Sequence, residues 1–402
     1  MKFRALSRKK EQGAVAVTFA LLLFLLLGFA GIALDFGHLL VVRTELQTAM
    51  DSCALAAAQE MDGQADALTR ARSAGITAAN ANAVDMQSEN WSGKGLVTAA
   101  DFDFLDAVYA PTAVSADVRY VRCTHTQSAT NTPLISVLGA FTGVAAYAGT
   151  MDVAARAMAT LTPAQSACPL PMTMQPKSSV KPDYGYEKGK WYDLLNPGEP
   201  LGPGQIGWAN LDGSNSASET AAELKGHCGT HIGDKLGTPG FQNSMIDLWN
   251  SRFGIYKNNS GPGIDPPDFT GFVYTTTSWT KGYGALDDFL QKRQTFSPCA
   301  DSVSNCETAS GLKLNQFQSV IPGADLQRYG TNRRLATVPI ADAGKVIDFA
   351  CMLLLQPIPS PFNNKNVVKL EYVGNASVIG SPCTGSGLPG GSAGPLVPVL
   401  VR

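Results

Sequence analysis

The sequence predicts an α+β protein. An N-terminal transmembrane helix continues into a long stem helix, a small antiparallel strand unit follows, and a mixed α+β domain stapled by disulfides completes the chain. Three observations carry this. Ala14 to Leu34 is a run of 21 residues without a charge. Apolar residues then recur at alternate steps of three and four as far as Ala56. The later chain changes to period-two alternation, and all eight cysteines follow the apolar run.

At about 1.5 Å per residue the run makes a helix roughly 30 Å long, enough to cross the hydrocarbon core of a bilayer. Thr18 is polar and has apolar neighbours on both sides. Lys2, Arg4, Arg8, Lys9 and Lys10 precede the run, and Asp35 and His38 follow it. The positive-inside rule therefore assigns residues 1–13 to the cytoplasm, 14–34 to the bilayer and the rest to the far side. The rival is a cleaved signal peptide, whose apolar region is about 7–15 residues long and ends at a small-residue site. The longer run here, and the helical pattern that continues past it, favour a retained anchor.

The first 12 residues carry five basic side chains and Glu11; the remainder carries 26 basic against 32 acidic, a net of −6. No basic stripe invites nucleic acid. Cys53, Cys123, Cys168, Cys228, Cys299, Cys306, Cys351 and Cys383 are even in number and lie on the outer side. In an oxidising compartment they read as up to four disulfides. Eight cysteines allow 105 pairings. Sequence proximity favours Cys299 with Cys306 and Cys351 with Cys383.

Leu39, Val42, Leu46, Ala49, Cys53 and Ala56 form a narrow seam on the stem, whose segment spans 35–81. Two uses are open: packing on the chain's own domain, or self-association with a neighbouring copy. Asp62-Gly63 breaks the helix, and Ala65 to Ala81 forms a second one. A strand-containing unit spans 95–162. Phe102 and Phe104 alternate with acids; Val114, Ala116, Val118 and Tyr120 alternate with polar residues, as do Val153, Ala155, Ala157 and Ala159. Thr132 to Phe141 reads as a short amphipathic helix or turn.

Residues 163–402 make the outer α+β domain. Pro163, Pro169, Pro171, Pro176 and Pro182 mark an irregular start. Short helices are expected at 218–225, 241–253 and 286–296, and strands around Ala336–Ile340, Val346–Leu355 and Val368–Tyr372. Phe349 to Leu355 is apolar on both faces, the mark of a central strand. The final stretch, GSGLPGGSAGPLVPVLVR, reads as loose.

The segment from Gln12 to Gln59 resembles the N-terminus of the TadE/TadG-like proteins of Flp (tight-adherence) pilus assembly. Gly13-Ala14 precedes the apolar run. The run closes on Leu34-Asp35-Phe36-Gly37. An Arg43-containing polar turn, then Leu46-Gln47 and the Ala-rich Ala54–Gln59, follow. Leu138-Gly139 and the strand to Ala159 are also similar. Pilin-like members carry Glu-Phe-Ala-Leu where this chain has Thr18-Phe19-Ala20-Leu21. Thr18 cannot neutralise a neighbour's N-terminal amine in a filament core, so the departure favours the TadG-like branch. Some larger members carry a von Willebrand factor A-like domain with an Asp-x-Ser-x-Ser loop. Asp301-Ser302-Val303-Ser304-Asn305 is out of register with it.

Chemistry is weakly signalled. His227-Cys228 with His231 has ligand-like spacing, but Cys228 is a disulfide candidate in a Gly-rich loop. Ser178 and Lys181 give a Ser-x-x-Lys spacing inside the Pro-rich start. Gly202 to Gly207 lacks the Lys-Ser/Thr of a phosphate loop. Asp287-Asp288 reads as a solvated helix face. No catalytic residue, cofactor or metal is expected.

The resemblance implies a non-enzymatic, single-pass bacterial inner-membrane protein. Its N-terminus would be cytoplasmic and its large C-terminal part periplasmic. It would anchor or assemble a Flp/Tad-type pilus, meeting the lipid bilayer and other pilus-assembly or secretion-machine proteins. The residues that would carry this are Gly13, Ala14, Thr18, Phe19, Leu21, Gly28, Gly31, Asp35, Gly37, Arg43 and Leu46. Asp35 is read either as a charged stop at the membrane boundary or as a contact for a partner. Two alternatives remain: a minor pilin-like subunit processed after Gly13 by a prepilin peptidase, and a membrane-anchored periplasmic enzyme.

Overall fold

The computed structural model describes residues 12–142, 149–196, 199–239, 243–257, 260–299, 306, 318–359, 368–383, 385 and 387–401. The basic segment at 1–11 and the Asp301–Asn305 string lie outside these. The chain is mixed α+β and divides into two compact units. The first contains the chain up to Met61, Ala65–Thr160 and the last residues from Leu400; the second contains Asp62–Gln64 and Leu161–Val399.

Unit 1 is built on one helix. α1 runs unbroken from Gln12 to Gln59, about 72 Å at 1.5 Å per residue. No turn interrupts it at Arg43, which sits exposed in mid-helix; the helical spacing of Val42, Leu46, Ala49 and Cys53 outweighs the local polarity there. The helix ends at Gln59, and Gly63, with φ of 77°, helps turn the chain. α2 (Ala67–Asn80) then returns along α1. Gly75 makes the close approach: a Cβ there would lie 2.6 Å from a Phe102 ring carbon and 3.1 Å from the Cys53 carbonyl.

A sheet packs on this pair, with β1–β2 and β2–β3 antiparallel. Its strands are β1 (Phe102–Leu105), β2 (Tyr120–Asn131), β3 (Thr150–Pro163) and β12 (Leu396–Val401), in the order β1-β2-β3-β12. Val153, Ala155, Ala157 and Ala159 point inward from β3, as their alternation predicts. The strand expected over Val114–Tyr120 is absent. Ser115–Asp117 is a single 3-10 turn, and the Ala116 and Val118 carbonyls accept the Arg119 guanidinium. The real strand begins at Tyr120, and its inward positions include His125 and Gln127. The loose tail is also corrected. Leu396–Val401 of this stretch form β12, last in the strand order of that sheet.

Helix α3 (Pro133–Thr142) connects β2 to β3. The Cys53–Cys123 disulfide ties α1 to β2 across 70 residues. Loop-closure entropy makes such a link worth about 4 kcal/mol.

Unit 2 is a closed six-stranded barrel in the order β10-β11-β5-β6-β4-β9. The strands are β4 (Met172–Met174), β5 (Trp191–Leu194), β6 (Ile206–Trp208), β9 (Leu335–Asp342), β10 (Lys345–Leu354) and β11 (Val368–Asn375). β10 pairs antiparallel with both β9 and β11, so it is the interior strand that its two-faced apolarity predicts. The β4–β9 and β5–β6 pairs are parallel. β4 arises within the stretch read as an irregular, Pro-rich start; three residues are too few for a periodic signal. Met172, Met174, Ile206, Val338, Ile340, Met352, Leu370 and Tyr372 fill the core.

Among the described residues the unit also holds helices α4 (Ala217–Lys225), α5 (Asn243–Ser251), α6 (Leu286–Gln294) and α7 (Gly323–Tyr329) and the hairpin of β7 (Ile255–Lys257) with β8 (Gln318–Val320). Three disulfides staple it: Cys168–Cys228, Cys299–Cys306 and Cys351–Cys383. Arg334, fully buried, is its strut. Its guanidinium donates to the carbonyls of Leu354, Thr270, Phe272 and Leu355 and lies 4.2 Å from the Phe253 ring centroid.

Candidate membrane anchor and its collar

Helix α1 has two environments. From Val15 to Leu27 every side chain is exposed, with Phe19 and Leu26 both at 67 % and Leu21 at 60 %. Among the described residues this is the one helix long and apolar enough to cross a membrane. Gly13 and Ala14 lie in its first turn. The Thr18 hydroxyl donates to the Val15 carbonyl at 3.1 Å, so its polarity is answered within the helix.

Protein begins to cover the helix one turn before the charge-free run ends. Space beside Gly28 is open, whereas a Cβ on buried Gly31 would lie 3.1 Å from Leu134 Cβ. α3 crosses here. Asp35, one turn further on, is only 4 % exposed, and its Oδ2 accepts the Ile135 amide at 2.6 Å. A carboxylate at a helix N-terminus answers an otherwise unpaired N–H and faces the positive end of the helix dipole. Pro133 opens α3 and has no N–H to satisfy, and the Ser136 amide donates to the Thr132 carbonyl at 3.2 Å. Asp35 is therefore the cap of α3. The α3 backbone covers its carboxyl. Phe36 and Gly37 remain exposed.

Beyond Asp35 a collar grips α1. His38 Nε2 lies 2.9 Å from Asp85 Oδ1, and Lys94 Nζ is 3.5 Å from the other oxygen. Burial opposes the charge on Asp85. Hydrogen bonds from Ser92 and His38 and the charge of Lys94 outweigh it and hold the carboxyl below its usual range. Asp85, Met86 and Gln87 have φ of 66°, 57° and 63°, three consecutive left-handed residues. Each costs about 1–2 kcal/mol. Glu45 offsets this by accepting the Met86 amide (3.0 Å), the Gln87 amide (3.3 Å) and the Gln87 side-chain nitrogen (2.8 Å).

The seam lies below the collar. Val42, Leu46, Ala49 and Cys53 are fully buried; Leu39 and Ala56 are partly so. α2 and β2 of the same unit pack against α1. The seam is thus filled by the chain's own elements. Arg43 stays exposed beside Met151 and Asp152.

Unit 2 has a cavity of about 300 Å³ whose lining includes Glu223, Lys225, His227, Arg252 and Arg333. Its most buried charged groups are engaged with backbone. Glu223 accepts the Leu211 amide at 2.9 Å, and burial pushes its carboxyl up to about 7. Arg252 donates to the carbonyls of Leu224 and Arg333. Glu371 accepts the Trp191 indole and the Ala285 and Leu286 amides at the start of α6. Cys228 is bonded to Cys168, so the thiolate of the His227-Cys228-His231 spacing is already used.

Sequence reasoning missed Leu134, Ile135, Glu45 and Asp85. A signal for the first two was present: Thr126 to Met151 contains no Asp, Glu, Lys or Arg, and Pro133 opens its apolar part. Nothing local marked Asp85.

Residues 13–60 match the family of TadE/G-like Flp pilus-assembly proteins. No curated protein and no solved structure matches the chain. The family is a pilus-assembly component and not an enzyme family. The match and the exposed apolar helix together fit a membrane-anchored pilus-assembly protein.

Proposed function

We propose that this chain is a non-enzymatic, TadG-like anchor of a Flp/Tad-type pilus or its assembly machine. It crosses the bacterial inner membrane once, with the N-terminus in the cytoplasm and residues after Leu34 in the periplasm. The observation that carries the reading is the continuity of α1. One helix passes from a lipid-compatible segment into the buried seam at Val42, Leu46, Ala49 and Cys53 without a break. A force on unit 1 is then transmitted to the bilayer through hydrogen-bonded backbone and not through a flexible linker. From Asp35 to Gln59 the helix extends roughly 37 Å outward. The function is mechanical: hold unit 1 at a fixed distance from the membrane, where other pilus-assembly proteins dock.

Thr18, where pilin-like relatives carry glutamate, supports retention of the N-terminus. The four disulfides support an oxidising compartment. Intact-mass and N-terminal analysis of the membrane-extracted protein tests the reading. A chain starting at Met1 or Lys2 upholds it. A start at Ala14 makes it a processed pilin-like subunit instead, and a start beyond about residue 34 removes the anchor altogether.

A further inference from the structure

We propose that α3 is a second membrane element: an interfacial helix seated beside α1 in the leaflet facing the folded units, with Leu134 and Val137 among the acyl chains. The inference rests on the membrane-anchor reading and goes beyond it.

Position is the first argument. Leu134 packs on Gly31, which lies within the charge-free run and one turn short of its end at Asp35. If the run is in hydrocarbon, the start of α3 is at the same depth.

Surface chemistry is the second. Leu134 and Val137 are 42 % and 52 % exposed, on a helix whose surrounding sequence has no charged residue from Thr126 to Met151. Between α3 and α1 runs a groove of about 410 Å³. Phe24, Leu27, Gly28, Leu34, Leu134 and Val137 line it together with two further small residues of α1. Its walls are continuous with the bare face of the anchor. A hydrocarbon chain is the occupant that satisfies both at once.

Backbone accounting is the third. A helix end in hydrocarbon must satisfy its polar groups internally. At α3, Pro133 has no donor, and two of the three first-turn amides that follow it are answered by protein, that of Ile135 by Asp35 and that of Ser136 by Thr132. The Ser136 hydroxyl donates to the Pro133 carbonyl at 2.6 Å. The Asp35 carboxyl is covered by the helix it caps. An aqueous helix end has water for these tasks.

The test uses the full chain in phosphatidylcholine–phosphatidylglycerol nanodiscs, which leave both faces open to solute. Val137→Trp is compared with Leu22→Trp in the anchor and with Val108→Trp, an exposed residue in the turn after β1. The emission added over the wild type is read against lipids brominated in mid-chain and against aqueous iodide. Val137→Trp and Leu22→Trp are expected to emit to the blue and to lose most of their added signal to bromolipid. Val108→Trp is expected to lose its signal to iodide. Should Val137→Trp disturb folding, Leu134→Trp reports on the same face. Quenching of the α3 tryptophan by iodide alone, with Leu22→Trp still quenched by bromolipid, overturns the inference and leaves the anchor standing. Iodide quenching of both overturns the two together.

Discussion

Replacing Asp35 by alanine is expected to loosen α3 while leaving the rest of unit 1 folded. The carboxylate is 4 % exposed and accepts the Ile135 amide at 2.6 Å. Removing a helix-capping side chain typically costs about 0.5–2 kcal/mol. The upper half of that range applies here, because the orphaned Ile135 amide would be buried. A loss of about 1–2 kcal/mol raises the population of an opened α3 about 5- to 30-fold. Hydrogen exchange read by mass spectrometry on the membrane-reconstituted chain measures this directly. Peptides covering 133–142 should exchange faster by that factor. Peptides covering α2 at 67–80 should not change, since α2 is held by Gly75, Phe102 and the Cys53 region and not by Asp35. Asp35→Asn keeps an acceptor and should lie between the two. Unchanged exchange over α3 would refute the capping role. Equal loss of protection over α2 would show that Asp35 supports the whole unit, and the local argument would fail.

Three further outcomes are expected. Gly75→Ala should lower the stability of unit 1 by about 1–3 kcal/mol, because its Cβ would sit 2.6 Å from the Phe102 ring; thermal unfolding reads it, and a gain, as helix propensity alone predicts, would sink the packing argument. Arg334→Met should cost unit 2 about 3–5 kcal/mol by stranding buried carbonyls, and Arg334→Lys should not rescue it, since an ammonium lacks the guanidinium fork; a denaturant midpoint equal to wild type for either variant would contradict this. Glu223 binds its proton more tightly when folded, near 7 against 4.5 for the free side chain. Its contribution is therefore complete below pH 4.5 and is lost as pH rises through about 7, about 3 kcal/mol in all; Glu223→Gln should flatten that part of the stability profile, and an unchanged slope would count against a raised carboxyl.

Legibility followed the range of the interactions. The apolar run of α1 is a one-dimensional signal, read without knowledge of any neighbour. The Ala155, Ala157 and Ala159 alternation is similar, because a strand with one face buried must repeat every two residues. The same rule failed for β2. His125 and Gln127 occupy its inward positions, and period-two reading takes polar residues as outward. His125 is tolerated there because Asp101 lies 3.1 Å from its Nδ1, a partner that alternation cannot reveal.

The barrel of unit 2 escaped for another reason. β4 and β6 have three residues each, and their pairing with distant strands replaces the length that a sequence signal needs. β9, β10 and β11 were legible because they are long and apolar. The Cys299–Cys306 and Cys351–Cys383 pairings could be favoured by proximity. Cys53–Cys123 and Cys168–Cys228, 70 and 60 residues apart, could not.

By itself the sequence determined the long apolar helix, its continuation as a stem, the α+β class and the resemblance at residues 12–59. Each is a property of composition and period within one segment. The tertiary structure alone decided what the stem seam packs on and what Asp35 does. Ile135 is 100 residues from Asp35 and reaches it only because β2 brings α3 back beside Gly31. A carboxylate is the same residue in sequence whether solvated at a membrane boundary or buried as a cap. The difference lies in which backbone amide folding delivers to it.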